Sequence, residues 1–463
     1  MGNGNSNNSK ASLLKETLGD HDESVNCMAL SDDMSMLVTG SEDATARMWS
    51  THTPETECLG VLRGHSSYIN AVAIMDTIVI TGSADSTIRK WCMTTCECLF
   101  VYEGHSARIQ RLIVTEDFIF SSSYDRTAKA WRLDTEGIRE GMEETACIRT
   151  FKGHARGVYP IIFIPTEDFD LTDGATINPG DTLLTGSADH TARSWSCDTG
   201  GCLKIFKGHT GGITCMSTDA SGKILYTGSA DNSIRSWNIA TGQIIKKMFG
   251  HTKMVLDMCF DHDKTYMYTA SVDGNARSWM PEIGDEVRVF EGATRSVVFV
   301  HCKGNILFTG CGDGEIRAYD AKSGALRRTY PGHEGAVNCL AIVGDKVFSG
   351  SSDATMRVWD AKDISEELLV DEAPPPPPVL GDDITLGDSV SMINEQDEAM
   401  EEHIENLDDG PVGDEVIDEE ADAQDKPEEE AEGKNEADDQ PEQAEDKEED
   451  SPEDMIEQEM ASV

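Results

Sequence analysis

The chain has 463 residues, with 86 Asp and Glu against 38 Lys and Arg, for a formal net charge of −48. So acidic a balance argues against nucleic acid as a partner, because phosphate recognition needs a dense basic field, and no apolar run of about 18 residues exists to span a membrane. The charge is uneven: residues 371–463 carry 37 acids and three lysines without one aromatic residue or cysteine, so a core must be built from residues 1–370.

In chain order, residues 1–10 read as a flexible segment. Met1 to Ser6 (MGNGNS) fits M-G-x-x-x-[ST], the pattern that marks Gly2 for N-myristoylation. One myristoyl chain gives marginal, reversible membrane contact. No second anchor signal is near, since no cysteine precedes Cys27 and only Lys10 and Lys15 add positive charge. The segment lacks the apolar stretch of a secretory signal. The 13 cysteines therefore read as reduced thiols of a cytoplasmic chain. Partial residence at a membrane or in the nucleus is the alternative.

Beyond this segment a repeat dominates the chain. GSEDATARMW (40–49), GSADSTIRKW (82–91), SSYDRTAKAW (122–131) and GSADHTARSW (186–195) are its first four copies. GSADNSIRSW (228–237), ASVDGNARSW (270–279), GCGDGEIRAY (310–319) and GSSDATMRVW (350–359) bring the number to eight. In each, an Asp precedes an aromatic residue by six positions. All seven tryptophans fall at this one place, and Tyr319 fills the eighth. Upstream stands Gly-His, at His65, His105, His154, His209, His251 and His333; copy one has Asp20-His21 and copy seven Gly292-Ala293. Each copy holds four short β-rich runs, such as YINAVAI (68–74), IVITGS (78–83), the run ending at Trp91, and ECLFVY (97–102). Four such runs divided by turn residues are the signature of a propeller blade. Insertions at 133–145 and 165–181 lengthen copies three and four and read as solvated loops, with a second partner site as the alternative.

The combined Gly-His and Asp-x5-Trp pattern resembles the WD40-repeat family over roughly residues 10–370. The resemblance implies an all-β fold: an eight-bladed WD40 β-propeller over residues 11–370, followed by a disordered acidic tail over 371–463. Seven blades plus one stray unit is the other architecture. The family closes its last blade with a strand from the opposite terminus. Residues 11–18 (ASLLKETL) are placed for that role, with ISEELLV (364–370) as the alternative. The resemblance also implies a buried hydrogen-bonded network in each blade. Complete sets are His65, Ser83, Asp85 and Trp91; His154, Ser187, Asp189 and Trp195; and His209, Ser229, Asp231 and Trp237. Such groups can satisfy one another in series, and a buried one left unpaired costs about 1–3 kcal/mol. Eightfold repetition argues against a catalytic triad, since a site grafted on a fold occurs once. Copy seven lacks the His and Ser (Ala293, Cys311), which predicts the weakest network and the least rigid blade.

In the resembled family, partners dock on the face formed by the Gly-His loop and the Asp-led turn. Residues just past the one or just before the other are Tyr68, Arg108, Tyr124, Arg156, Lys253, Met254 and Arg295. They form a basic and aromatic set suited to anchoring partners. With no paired C-x2-C unit, phosphate loop or nucleophile elbow, the chain is expected to hold no metal or cofactor and to be no enzyme. Past the repeats, Pro374–Pro378 reads as a stiff spacer. Ile393, Met400, Ile404 and Leu407 stand at helical spacing in an otherwise solubilising acidic run. The chain therefore reads as a monomeric scaffold that binds other proteins or peptide segments. The alternatives are a substrate receptor of a ubiquitin ligase, or a chaperone of basic proteins through the acidic tail.

Overall fold

The computed structural model describes residues 13–138, 146–166 and 178–364. Gly2, the centres of both insertions, the polyproline spacer and the acidic tail lie outside these. The described residues form 32 strands and no α-helix, with a short 3-10 turn at Lys362–Ile364. The strands group into eight four-stranded sheets. Seven blades take consecutive strands, over 25–63, 69–102, 109–152, 158–207, 213–249, 255–290 and 297–331. The fold is thus an eight-bladed, all-β propeller.

Blade eight is built from both ends of the repeat region. Its inner strands are Val337–Val343, Lys346–Ser351 and Met356–Asp360, and its outer strand is Leu14–Leu18. Leu14 lies opposite Trp359 and Leu18 opposite Met356 in an antiparallel pair. The N-terminal strand therefore fills the outer edge, while Ile364 is buried in the cluster that contains Trp359.

Burial explains why each strand has its sequence. The second strand of a blade, such as Ile78–Ser83, is covered on both faces and is buried nearly throughout. The outer strand, such as Cys202–Lys207, faces solvent and is mostly exposed. All seven tryptophans are at most 2% exposed. A Cβ at Gly64 would lie 3.1 Å from the Trp91 ring, so the glycine lets the Gly-His loop rest on the indole.

The first strand of each blade touches that of the next, and blade eight returns to blade one, which closes the ring. Side-chain amides stitch the seams: Asn70 Nδ2 donates to Ile109 O at 2.8 Å and Asn338 Nδ2 to Val25 O at 3.0 Å. The first strand also shifts register near its start in every blade, for example between Val25 and Cys27 and between Ile69 and Ala71. A bulge re-aims the residue it frees. Here the freed residues Asn26, Asn70, Gln110, Tyr159, Val298 and Asn338 line a central depression.

Candidate partner-binding face

A relay of buried side chains ties together the segments of most blades that lead to the depression. In blade two, His65 Nδ1 lies 2.8 Å from Asp85 Oδ2 and His65 Nε2 lies 2.7 Å from Thr81 Oγ1. Trp91 Nε1 donates to the same Thr81 hydroxyl at 2.8 Å. His154, Asp189, Thr185 and Trp195 repeat the arrangement in blade four, and His209, Asp231, Thr227 and Trp237 in blade five.

The linking hydroxyl is therefore not the serine of the sequence expectation but the residue two positions earlier. Ser83, Ser187 and Ser229 lie too far along the strand to reach the indole. Ser187 Oγ instead donates to Arg156 O at 3.1 Å and accepts the Asp189 N–H at 3.0 Å. Ser83 and Ser229 do the same for Ser67 and Gly211. The serine thus pins the loop after Gly-His to the Asp-led turn, which are the two segments that form the rim.

Within the turn, the Asp carboxylate also accepts the N–H two residues on, as Asp85 Oδ1 does from Thr87 at 2.9 Å. That pinning holds Ser86, Arg126, His190 and Asn232 in the left-handed region, at φ between 66° and 71°.

Burial pushes the imidazoles of His21, His105, His154 and His209 below their usual range, against the pull of their aspartates. Burial also opposes ionisation of Asp85, Asp125, Asp189, Asp231 and Asp353. The histidine bond, the turn hydroxyl and backbone N–H groups overcome it and hold these carboxyls well below their usual range. At His105, His154 and His209 the resting pair is a neutral imidazole and a carboxylate. Nδ1–H then donates to Asp, Nε2 accepts the linking O–H, and the indole N–H donates to the same oxygen.

Both shifts make acid destabilising. Below the ordinary His value of 6.5 the unfolded chain takes up protons that these histidines refuse. Towards 3.8 the same holds for the aspartates. Asp257, on the first strand of blade six, opposes this, since burial raises its carboxyl to about 6. Burial also raises Glu42, Asp181 and Asp261; the contribution of such carboxyls is lost as pH rises, but four of them face four imidazoles and five carboxylates. Melting temperature is expected to fall once pH drops below 6.5 and to fall further towards 3.8, as read by thermal scans at stepped pH. A flat profile would contradict the neutral-imidazole relay.

Blade seven shows what replaces the relay. Ala293 and Cys311 remove the imidazole and the serine. The vacated carboxylate of Asp313 is taken by Arg317, whose Nη1 and Nη2 donate to Oδ1 and Oδ2 at 3.1 and 2.9 Å. Arg317 is 5% exposed, and the bidentate pair fixes the turn as the histidine does elsewhere. Tyr319 O–H donates to Glu291 O at 3.0 Å.

The depression has a volume of about 760 Å³ and a polarised lining. One side, from blades eight and one, presents Asp22, Glu23, Glu42 and Asp353; the other presents Tyr68, Arg108, Arg111 and Tyr159. Burial, and then the neighbouring Glu23, raises the Glu42 carboxyl. Arg108 Nη1 lies 3.4 Å from Tyr68 Oη, and its guanidinium sits 4.6 Å from the Tyr124 ring centre. The structure thus brings Tyr68, Arg108 and Tyr124 together.

Arg156, Lys253 and Arg295 are not among the residues lining the depression. Met254, expected at the exposed rim, is instead 7% exposed. It occupies the same place as Tyr68 and Arg108, a largely covered position from which only long polar side chains extend outward. The acidic half is not part of the basic and aromatic set expected from the sequence. Its signal was present, since Asp22 and Glu23 follow His21 and Glu42 precedes Asp43.

A closed ring of four-stranded blades, most of them pinned inside by one recurring relay, defines a repeat-built β-propeller. The family model of the WD domain, G-beta repeat (WD40), matches residues 13–50, 56–92, 96–132, 145–196, 200–238, 242–279 and 324–360, more than half of the chain. The chain belongs to the WD40-repeat family. The longest gap between these matches, 280–323, holds the outer strand of blade six and the first three strands of blade seven, where the relay is replaced.

WD repeat-containing protein 86 of Homo sapiens is 41% identical over 205 residues, 44% of this chain and 51% of that protein. Mitochondrial division protein 1 of Mycosarcoma maydis is 24% identical over 201 residues, 40% of this chain and 22% of that protein. The chain thus spans about half or less of the length of these relatives. The crystal structure of Saccharomyces cerevisiae Sqt1 shares the fold, with a TM-score of 0.66 over 75% of this chain and 99% of that one, at 15% identity. Propellers of this family generally mediate protein–protein contacts. Among the described residues no helix is long and apolar enough to cross a membrane.

Proposed function

We propose that the chain is a non-enzymatic scaffold that holds segments of partner proteins at the mouth of its central channel. The observation that carries this reading is the depression, acidic on one wall and basic and aromatic on the other. A rigid concave surface with opposed charges selects partners by electrostatic complementarity and fixes their register. Arg108 and Tyr68 are the anchors, held by each other and by Tyr124.

Affinity purification of the full chain tests this. Arg108→Glu with Arg111→Glu is expected to weaken capture of its principal partners by at least about tenfold without shifting the melting temperature. Arg156→Glu, away from the depression, is expected to leave capture intact. The reverse pattern would move the site off the mouth. The scaffold works as a monomer in the cytoplasm in this reading. Myristoylation of Gly2 would add only marginal membrane contact, and the intact mass of the mature N-terminus decides whether it occurs.

A further inference from the structure

The outer rim of the propeller is not uniform. Four outer strands expose a single large apolar side chain, Leu59 in blade one, Leu99 in blade two, Val287 in blade six and Leu326 in blade seven, and those of blades three and eight expose none. Blades four and five depart from this. Leu203 and Ile205 in blade four are 52% and 39% exposed, and Ile244, Ile245 and Phe249 in blade five are 40%, 44% and 69% exposed. Phe249 stands immediately before Gly250-His251, where five other blades carry Arg63, Glu103, Lys152, Lys207 and Glu291. The two blades are consecutive, and the turn that leads into the outer strand of blade five lies against blade four: a Cβ at Gly242 would be 3.6 Å from Lys204 Cδ.

Charge on this sector is opposite to that of the chain. Cys202–Lys207 and Ile244–Phe249 contain Lys204, Lys207, Lys246 and Lys247 and no acidic residue, in a chain of net charge −48. Both strands are the last of their sheets and pair on one side only. Their outward N–H and C=O groups form a template for another strand; the lysines blunt pairing with like-charged or neutral edges, but not with an acidic segment.

We propose that the outer edge of blades four and five is a second docking surface, which takes an extended acidic-apolar segment of a partner protein as an added β-strand. Main-chain bonds to the free edge provide affinity, Phe249 and Ile245 receive apolar side chains, and the lysines select acidic ones. A lipid surface fits less well. It would leave the edge N–H and C=O groups without partners, and anionic headgroups would be repelled by the chain as a whole. The surface is distinct from the channel mouth, so the two readings fail separately.

The test uses the full chain and two labelled ten-residue peptides, one alternating valine with glutamate and one alternating valine with lysine, followed by fluorescence anisotropy. The Val-Glu peptide is expected to bind saturably and at least about tenfold tighter than the Val-Lys peptide. Phe249→Ser, and separately Lys246→Glu with Lys247→Glu, are expected to weaken it by at least about fivefold. These positions are exposed, so folding should be unaffected. Amides of 244–249 are expected to gain protection from hydrogen exchange, and Arg108→Glu with Arg111→Glu to leave peptide binding unchanged. Equal binding of both peptides, unchanged binding by either edge variant, or loss in the mouth variant would overturn the proposal. A homodimer abolished by Phe249→Ser would also overturn it, by making the edge a contact between copies.

Discussion

Deleting residues 1–18 is expected to lower the melting temperature by at least about 10 °C and to broaden the transition. The deletion removes Leu14–Leu18, the outer strand of blade eight. Leu13 and Leu14 pack on the cluster around Trp359 and Ile364, and Leu18 on the cluster around Trp49 and Met356. Three half-buried leucines contribute about 1 kcal/mol each. Backbone bonds to Met356–Trp359 add about 1 kcal/mol apiece. A loss of roughly 5 kcal/mol is a large part of a typical net stability of about 5–15 kcal/mol. Lys15 adds little, since its pairs with Asp345 and Asp360, at 3.8 and 3.6 Å, are open to solvent. A peptide of residues 11–20 supplied in trans should restore part of the loss, because it binds only the folded ring. Unchanged melting would assign closure to the Asn338 bond and the contact between the first strands of blades eight and one.

Thr227→Val is expected to cost about 2–5 kcal/mol in urea denaturation, while Thr227→Ser costs under about 1 kcal/mol. Valine keeps the shape but removes the hydroxyl that links His209 Nε2 at 2.8 Å and Trp237 Nε1 at 2.9 Å. Both groups are buried, so each loses its partner with no water to replace it. Serine keeps the hydroxyl, and blades three and eight already use Ser121 and Ser349 in this place. Ser229→Ala should cost less than Thr227→Val, because it releases backbone groups at the edge of the rim rather than the buried imidazole and indole. If Ser229→Ala proved the costlier change, the hydroxyl assignment would be wrong.

Most of the scaffold was legible from residue order. An Asp six positions before an aromatic residue marks a turn and the strand after it, and the Gly-His before it marks the loop that rests on the indole. These contacts lie within one blade, where short-range register carries them. The linking hydroxyl was less legible because Thr227 and Ser229 share a face of one strand. Trp237 lies opposite Leu225 and reaches diagonally to Thr227, which is a matter of hairpin register. Met254 was misplaced for a similar reason: its type suggested an anchor, but its position in the loop turns inward.

The site itself was only half legible. Tyr68 and Arg108 stand out by their chemistry, whereas Asp22 and Glu23 just past His21, Glu42 just before Asp43 and the turn residue Asp353 line the depression from blades one and eight. By itself the sequence determined the repeat, the number of its copies, the relay residues other than the hydroxyl, and the family. Tertiary structure decided between the two closing strands that the sequence offered for blade eight, and it alone decided that blades eight and one supply an acidic wall to the depression and that the outer edges of two consecutive blades are both apolar and lysine-bearing. Each of these depends on which blades become neighbours when the ring closes. That joins groups as far apart in the chain as Val25 and Asn338, and no local pattern of residues encodes such a distance.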